Sequence, residues 1–181
     1  QSPVTAGRFD VRIEADVRTL AEWWDPNLVT GLAPEGRAVL AGTVELAADG
    51  GLAVDLQHRG APLGLAGYDL EELELSYVDG RPAVTVGGSG WGRAEVRLDE
   101  TGVTSLSARL ARAPIDRLLA FAAPQVAAAV RGPTIATGRI DATFSFPVDP
   151  AALAADVDLV VAWSEGRVAL RGAVDSTEGR I

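Results

Sequence analysis

The chain has 181 residues, of which 48% are apolar and 23% charged, and its formal net charge is −9. The length predicts one folded domain, and the apolar content is enough for a core. The negative charge disfavours nucleic acid and anionic membrane surfaces as partners, because binding to phosphate requires clustered basic side chains. The chain contains no cysteine, which excludes disulfides, thiol catalysis and thiolate ligation of metals.

The first element is a long amphipathic strand. Polar and apolar residues alternate without an error over residues 8–17, so that Phe9, Val11 and Ile13 share one face and Arg8 and its polar neighbours share the other. Successive side chains of a strand point to opposite faces, so this pattern predicts a sheet with one apolar and one polar side. Something must cover the apolar side, and the function of the protein depends on what covers it.

The same alternation recurs along the chain and predicts about ten strands in a mainly β fold of long antiparallel amphipathic strands. Turn signals separate them at residues 49–51, 79–82, 99–102 and 164–166. The apolar members of the alternation are the candidates for lining an apolar groove: Phe9, Val11, Ile13, Leu40, Val44, Leu46, Leu52, Val54, Leu56, Leu73, Leu75, Tyr77, Val96, Leu98, Leu106, Leu110, Ile140, Phe144, Phe146, Val157, Leu159, Val161, Trp163, Val168 and Leu170.

Two segments break this period and predict short helices. The first runs from Thr19, a possible N-cap, to about residue 28. The second runs from Pro114, which suits a first helical turn, to residue 131, and Pro124 is expected to split or kink it. The apolar residues of these helices are expected to pack on the sheet or to form a lid over the groove: Leu20, Trp23, Trp24, Leu118, Leu119 and Phe121.

The two helical segments mark an internal repeat. An offset of 95 residues aligns the first strand and helix with a later strand and helix, and an offset of 96 aligns Gly36 with Gly132 and Gly42 with Gly138. We therefore expect a single β-rich fragment of a larger protein, residues 1–181, built of two related units at about 8–100 and 103–181. Units of this kind stack along an axis and contact their neighbours.

The sequence offers little for catalysis. His58 is the only histidine, which excludes a site with two histidine ligands in one chain. The glycine-rich run at 87–92 lacks the spacing of a nucleophile elbow and of a phosphate loop, and it predicts a flexible loop or a bulged strand. The acidic run around Glu72 is typical of a solvated strand face. We expect no catalytic residue, no metal and no cofactor.

In the order of its segments the chain resembles the TamB and AsmA-like proteins of the bacterial envelope. The resemblance lies in the passages from a short apolar helix through a glycine-marked entry into alternating strands, at residues 20–24 with 36–44 and at residues 115–119 with 132–140. Residues 63–77 follow the same style. The resemblance covers most of the chain and rests on this order of segments, without a signature motif.

The resemblance implies a sheet curled into a half-pipe, or β-taco, whose open apolar groove carries phospholipid between the inner and outer membranes or assists outer-membrane protein assembly. It implies a periplasmic location, a parent anchored in the inner membrane by a segment outside this sequence, an acyl-chain ligand such as phospholipid, and an outer-membrane β-barrel partner. Open sheet edges also predict a homodimer of the fragment. Two alternatives remain: a structural or adhesive cell-surface β-solenoid filled by its own side chains, and a closed lipocalin-like carrier of a small apolar ligand.

Overall fold

The computed structural model describes residues 6–24, 29, 33–78, 80–116, 120, 124–129, 132–145 and 153–175. Its helices and strands, in chain order, are β1 (Gly7–Asp16), α1 (Val17–Trp24), β2 (Arg37–Leu46), β3 (Leu52–His58), β4 (Leu63–Leu65), β5 (Tyr68–Leu70), β6 (Glu72–Val78), β7 (Arg81–Gly88), β8 (Gly92–Leu98), β9 (Val103–Pro114), α2 (Pro124–Ala129), β10 (Ile135–Ser145), β11 (Ala154–Trp163) and β12 (Gly166–Asp175).

Ten of the strands form one antiparallel sheet in the order β1-β2-β3-β6-β7-β8-β9-β10-β11-β12. Each strand lies beside the strand before it, and only the small β4–β5 hairpin interrupts the succession. The sheet is not closed, since β1 and β12 are its two edges. The prediction of a mainly β fold of long antiparallel strands is confirmed. The closed barrel of the lipocalin-like alternative is not what this sheet forms.

The turns between strands lie where the turn signals predicted them. The β2–β3 loop is closed by the backbone N–H of Ala47 donating to the carbonyl of Gly51 (2.8 Å), and the N–H of Gly51 donates to the Asp49 carboxylate (3.0 Å). In the β8–β9 turn the Asp99 carboxylate accepts from the backbone N–H of Thr101 (2.8 Å) and of Val103 (2.9 Å). Short side chains that accept backbone hydrogen bonds fix both turns.

The predicted helix boundaries were wrong in two places. Helix α1 begins at Val17, not at Thr19, because Asp16 is the N-cap and its carboxylate accepts the N–H of Thr19 (2.9 Å). Pro114 does not begin a helix, since it is the last residue of β9 and pairs with Ile135. Pro124 is the first residue of α2, which suits a residue that has no N–H to donate; the segment that it was expected to split lies partly outside the described residues.

The passage from β1 to β2 and the passage from β9 to β10 have similar local geometry. The N–H of Val17 donates to the carbonyl of Gly36 (3.1 Å), and the N–H of Ile115 donates to the carbonyl of Thr134 (2.8 Å). The second pair lies 98 positions after the first, whereas the sequence alignment used 95 and 96. The sheet continues from β8 to β9 without a break, so the division into two units stays a prediction.

The buried core lies at one end of the sheet, where β1, β3, β7 and β9 finish and the β4–β5 hairpin packs. We call this the hairpin end and the opposite end the far end. The buried members of this cluster are Ala38, Leu63, Ala66, Tyr68, Leu70, Trp91 and Ala113. The core is thus concentrated at the hairpin end, and most of the sheet's length lies outside it.

Candidate binding face

The strand register gathers apolar residues on one side of the sheet, which we call the apolar face. A single row of directly paired residues crosses nine strands: Val11, Gly42, Leu56, Leu75, Val84, Val96, Leu106, Ala142 and Ala155. Neighbouring rows repeat the pattern, with Phe9 opposite Val44 in β1 and β2. The alternation along each strand therefore becomes a continuous apolar surface across the sheet.

The groove-lining candidates in the described strands share this face by their pairing, and their role in binding stays a prediction. Four predicted site residues lie outside the described residues: Phe146, Leu118, Leu119 and Phe121. Leu20, Trp23 and Trp24 belong to α1, but their side chains lie outside the described part of the structure. The prediction of a lid formed by these helices is therefore untested.

Much of the apolar face is exposed to solvent. Eight large apolar side chains on it are exposed: Phe9, Ile13, Leu52, Val84, Val96, Leu98, Val168 and Leu170. On the polar face the exposed large apolar residues are Val78 and Val160. Scattered exposed apolar residues are normal on soluble proteins, but a set that follows one face across the whole sheet is typical of a surface that another molecule covers.

At the hairpin end the protein's own side chains cover the apolar face. The rings of Tyr68 and Trp91 lie 5.3 Å apart at 55°, and the Trp91 Nε1–H donates to the carbonyl of Asp69 (3.1 Å). Leu63 and Leu70 of the small hairpin are buried beside them. The apolar face is therefore filled at the hairpin end of the central strands and open along the rest, including Ile13 and Leu170 on the edge strands.

We call the cluster of Leu63, Tyr68, Leu70 and Trp91 the plug. Sequence reasoning missed it, because the glycine-rich run around Trp91 predicted a flexible loop or a bulged strand. The structure gives the glycines a packing role. A Cβ on Gly88 would lie 2.5 Å from Nε1 of Trp91 and 2.2 Å from the carbonyl oxygen of Asp69. A tryptophan among glycines was the available signal, since a large ring that packs directly on backbone requires neighbours without side chains.

The plug contains one polar atom without a partner. The Tyr68 hydroxyl is buried and has no hydrogen-bond partner among the described residues. Burial, with a smaller contribution from the negative charge of Asp116, raises the pKa of Tyr68 to about 12. The hydroxyl thus stays protonated in the physiological range and is available as a donor.

The polar face has a different character. Charged side chains pair across its strands, as in Arg93–Glu72 (2.9 Å) and Arg171–Asp158 (3.2 Å), and all of these groups are substantially exposed. A depression of about 800 Å³ on this face, over β6–β9, is lined by charges of both signs. Exposed pairs of this kind contribute little to stability, and they keep this side of the sheet in water.

His58 has a structural position. Its Nδ1 accepts the N–H of Val39 (3.1 Å), and its Nε2 lies 2.8 Å from the carbonyl oxygen of Ala61. The tautomer with a proton on Nε2 satisfies both contacts. Within the described ranges, no group of three or more His, Cys, Asp or Glu side chains is placed to hold a metal ion.

Comparison of the chain with protein-family models, with curated proteins and with solved structures finds no match. None of the described helices has the length and apolar character needed to cross a membrane.

Proposed function

We propose that the apolar face binds acyl chains, and that the protein is a non-enzymatic carrier of phospholipid. The observation that supports this proposal is the set of exposed large apolar side chains on that one face. Each methylene group buried there contributes roughly 0.8 kcal/mol, so even part of an acyl chain binds appreciably. The polar face remains hydrated in the complex.

The asymmetry of the face suggests where the ligand lies. Leu63 and Trp91 are buried at the hairpin end, whereas Val84, Val96 and Leu98 are exposed from the middle of the sheet to the far end. In the proposed complex the acyl chains cover this exposed part, with the plug of the hairpin end as their limit. The curl of the sheet into an open groove belongs to the same proposal.

At the level of the cell, we propose a segment of a TamB-like or AsmA-like envelope protein that moves phospholipid between the inner and outer membranes or assists the assembly of outer-membrane β-barrel proteins. A periplasmic location follows from this proposal. Its support is the long open antiparallel sheet together with the alternation that suggested the family.

A structural or adhesive module filled by its own side chains is the second candidate. The observation in its favour is the small hairpin, which already fills one end of the apolar face with Leu63, Tyr68 and Leu70. Such a module would bind no lipid, so one experiment distinguishes the two candidates.

The test combines native mass spectrometry of the purified protein, after lipid extraction, with displacement of a fluorescent fatty acid. We expect co-purified phospholipid and saturable binding of the probe. Val96→Asp places a charge on the apolar face and is expected to weaken probe binding at least about tenfold, since desolvating an ion is costly. Val160→Asp is the matched control: Val96 is 39% exposed and Val160 is 41% exposed, but on the polar face.

Clean extracts and no saturable probe binding would contradict the carrier and favour the structural module. Equal loss of probe binding in both variants would also contradict it, since the effect would then not depend on the face. Circular dichroism of both variants establishes that the sheet is intact before binding is compared.

A further inference from the structure

Strand β1 is a long, regular edge strand whose polar face carries charged side chains of both signs. All ten of its residues pair with β2 in an unbroken antiparallel register, and no strand lies on its other side among the described residues. It contains no proline, no lysine and no bulge. Natural sheets commonly use such features to prevent edge-to-edge association, so a long, regular edge invites a further strand.

We propose that this further strand is β1 of a second copy of the chain, antiparallel and centred on Val11. In that register Phe9 lies opposite Ile13 of the second copy, and Val11 lies opposite its own equivalent. On the polar face Arg12 lies opposite Asp10 of the second copy, and Arg8 lies opposite Glu14 of the second copy. By symmetry each of these pairs occurs twice, which gives four opposite-charge pairs.

The neighbouring registers lack this complementarity. With the centre at Arg12, Asp10 would face Glu14 of the second copy; with the centre at Asp10, Arg8 would face Arg12 of the second copy. Like charges directly opposite each other are destabilising. The register centred on Val11 therefore has the most opposite-charge pairs and no like-charge pair.

The pairing also covers apolar surface. Phe9 is 55% exposed and Ile13 is 44% exposed, and each would pack on the other across the new interface. A two-fold axis perpendicular to the sheet keeps both apolar faces on the same side, so the dimer has one apolar face twice as wide. The charged side chains already lie along this edge, in exposed pairs such as Arg8–Glu45 (3.1 Å).

The first test uses charge reversal and sedimentation velocity over a range of concentrations. The wild-type chain is expected to show a monomer–dimer equilibrium. Asp10→Arg and Arg12→Asp each place two like-charge pairs in the interface and are expected to weaken dimerisation about tenfold or more. The double variant restores opposite charges between positions 10 and 12 in the register centred on Val11, and its dimer affinity is expected to return to within about threefold of wild type.

Arg167→Asp is the matched control, because Arg167 is an exposed arginine on β12, the other edge of the sheet. It is expected to leave dimerisation unchanged. A monomer at every concentration, a double variant that is not rescued, or loss of the dimer in Arg167→Asp would each overturn the proposal. The last outcome would point to β12 as the interface.

The second test reads the register directly, because oxidation traps the dimer that is present. The chain has no cysteine, so Val11→Cys introduces a single thiol on the proposed axis, within the Cα separation of 4.4–6.8 Å that a disulfide spans. Two Ile13→Cys residues would lie four residues apart along the strands, roughly 13 Å. Mild oxidation is expected to cross-link Val11→Cys and not Ile13→Cys; equal cross-linking of both would overturn the register. Neither test depends on lipid binding, so the dimer and the carrier proposals can fail separately.

Discussion

Trp91 is the largest side chain in the buried cluster at the hairpin end, and it both packs on Tyr68 and donates to the carbonyl of Asp69. Trp91→Ala is expected to lower the free energy of unfolding by about 3–5 kcal/mol, because it leaves a cavity under the small hairpin. Trp91→Phe keeps most of the packing and loses the hydrogen bond, so its cost is expected to be about 1–2 kcal/mol. Urea denaturation measures both.

The control for that comparison is Leu170→Ala, which truncates an apolar side chain that is 47% exposed on β12. Its cost is expected to stay below about 1 kcal/mol. If Trp91→Ala were no more destabilising than this control, the β4–β5 hairpin would not belong to the core, and the stabilising role of the plug would be contradicted.

Gly138 in β10 has a backbone conformation and a neighbour that exclude a side chain. Its φ is +138°, and a Cβ there would lie 2.0 Å from the carbonyl oxygen of Asp158 in β11. Gly138→Ala is therefore expected to destabilise the sheet by about 1–3 kcal/mol. Gly172→Ala in β12 is the control, since a Cβ there meets no atom within 4 Å, and it is expected to be neutral or slightly stabilising. Equal shifts of the unfolding temperature in both variants would contradict the close approach of Gly138 to the backbone of Asp158.

At the scale of elements, the start of α1 depends on one carboxylate. The Asp16 side chain accepts the N–H of Thr19 (2.9 Å) and its hydroxyl (3.2 Å), and these hydrogen bonds, chiefly the one from the backbone N–H, lower the pKa of Asp16 below its ordinary value of 3.8. Since the folded pKa is depressed, the stabilisation is present above about pH 4 and is lost as the pH falls through the folded pKa. The helix is expected to weaken in acid.

Asp16→Asn tests this expectation, because asparagine also serves as an N-cap but does not titrate. The variant is expected to retain helical content at neutral pH and to lose less stability than wild type on acidification. Asp16→Ala is expected to lose the cap at every pH. Denaturant midpoints measured from neutral to acidic pH distinguish the three chains, and parallel pH profiles of wild type and Asp16→Asn would contradict the role of the carboxylate.

The elements also show what the sequence could predict. Alternation fixes which residues share a face, so β1 and β8 and the turn at Asp99 follow from local pattern alone. The β4–β5 hairpin does not, because its place on the sheet depends on contacts with Trp91, which are remote in sequence. Pro114 was misplaced for a similar reason, because proline suits a first helical turn and a strand end equally. Only its pairing with Ile135 shows that Pro114 ends a strand.

At the scale of the whole molecule, stability is expected to fall from the hairpin end to the far end. The buried cluster packs against Leu73, Val86 and Ala94, which belong to the hairpin-end halves of β6, β7 and β8. In the far-end halves of the same strands Val84, Val96 and Leu98 are exposed. Some backbone hydrogen bonds lie under exposed apolar side chains without a covering layer. Their local opening requires less free energy than the opening of hydrogen bonds under a packed core.

Amide hydrogen exchange of the lipid-free protein measures this gradient, and we expect slower exchange in the hairpin-end halves of these three central strands than in their far-end halves. All three have strand neighbours on both sides, so a difference in exchange rate between their halves reports burial and not a missing backbone hydrogen-bond partner. Addition of a fatty acid is expected to slow exchange mainly at the far end, because the ligand supplies the layer that the fold leaves out. Uniform slow exchange without ligand would mean that the apolar face is covered along its whole length, as the self-filled structural module requires, and would contradict a carrier.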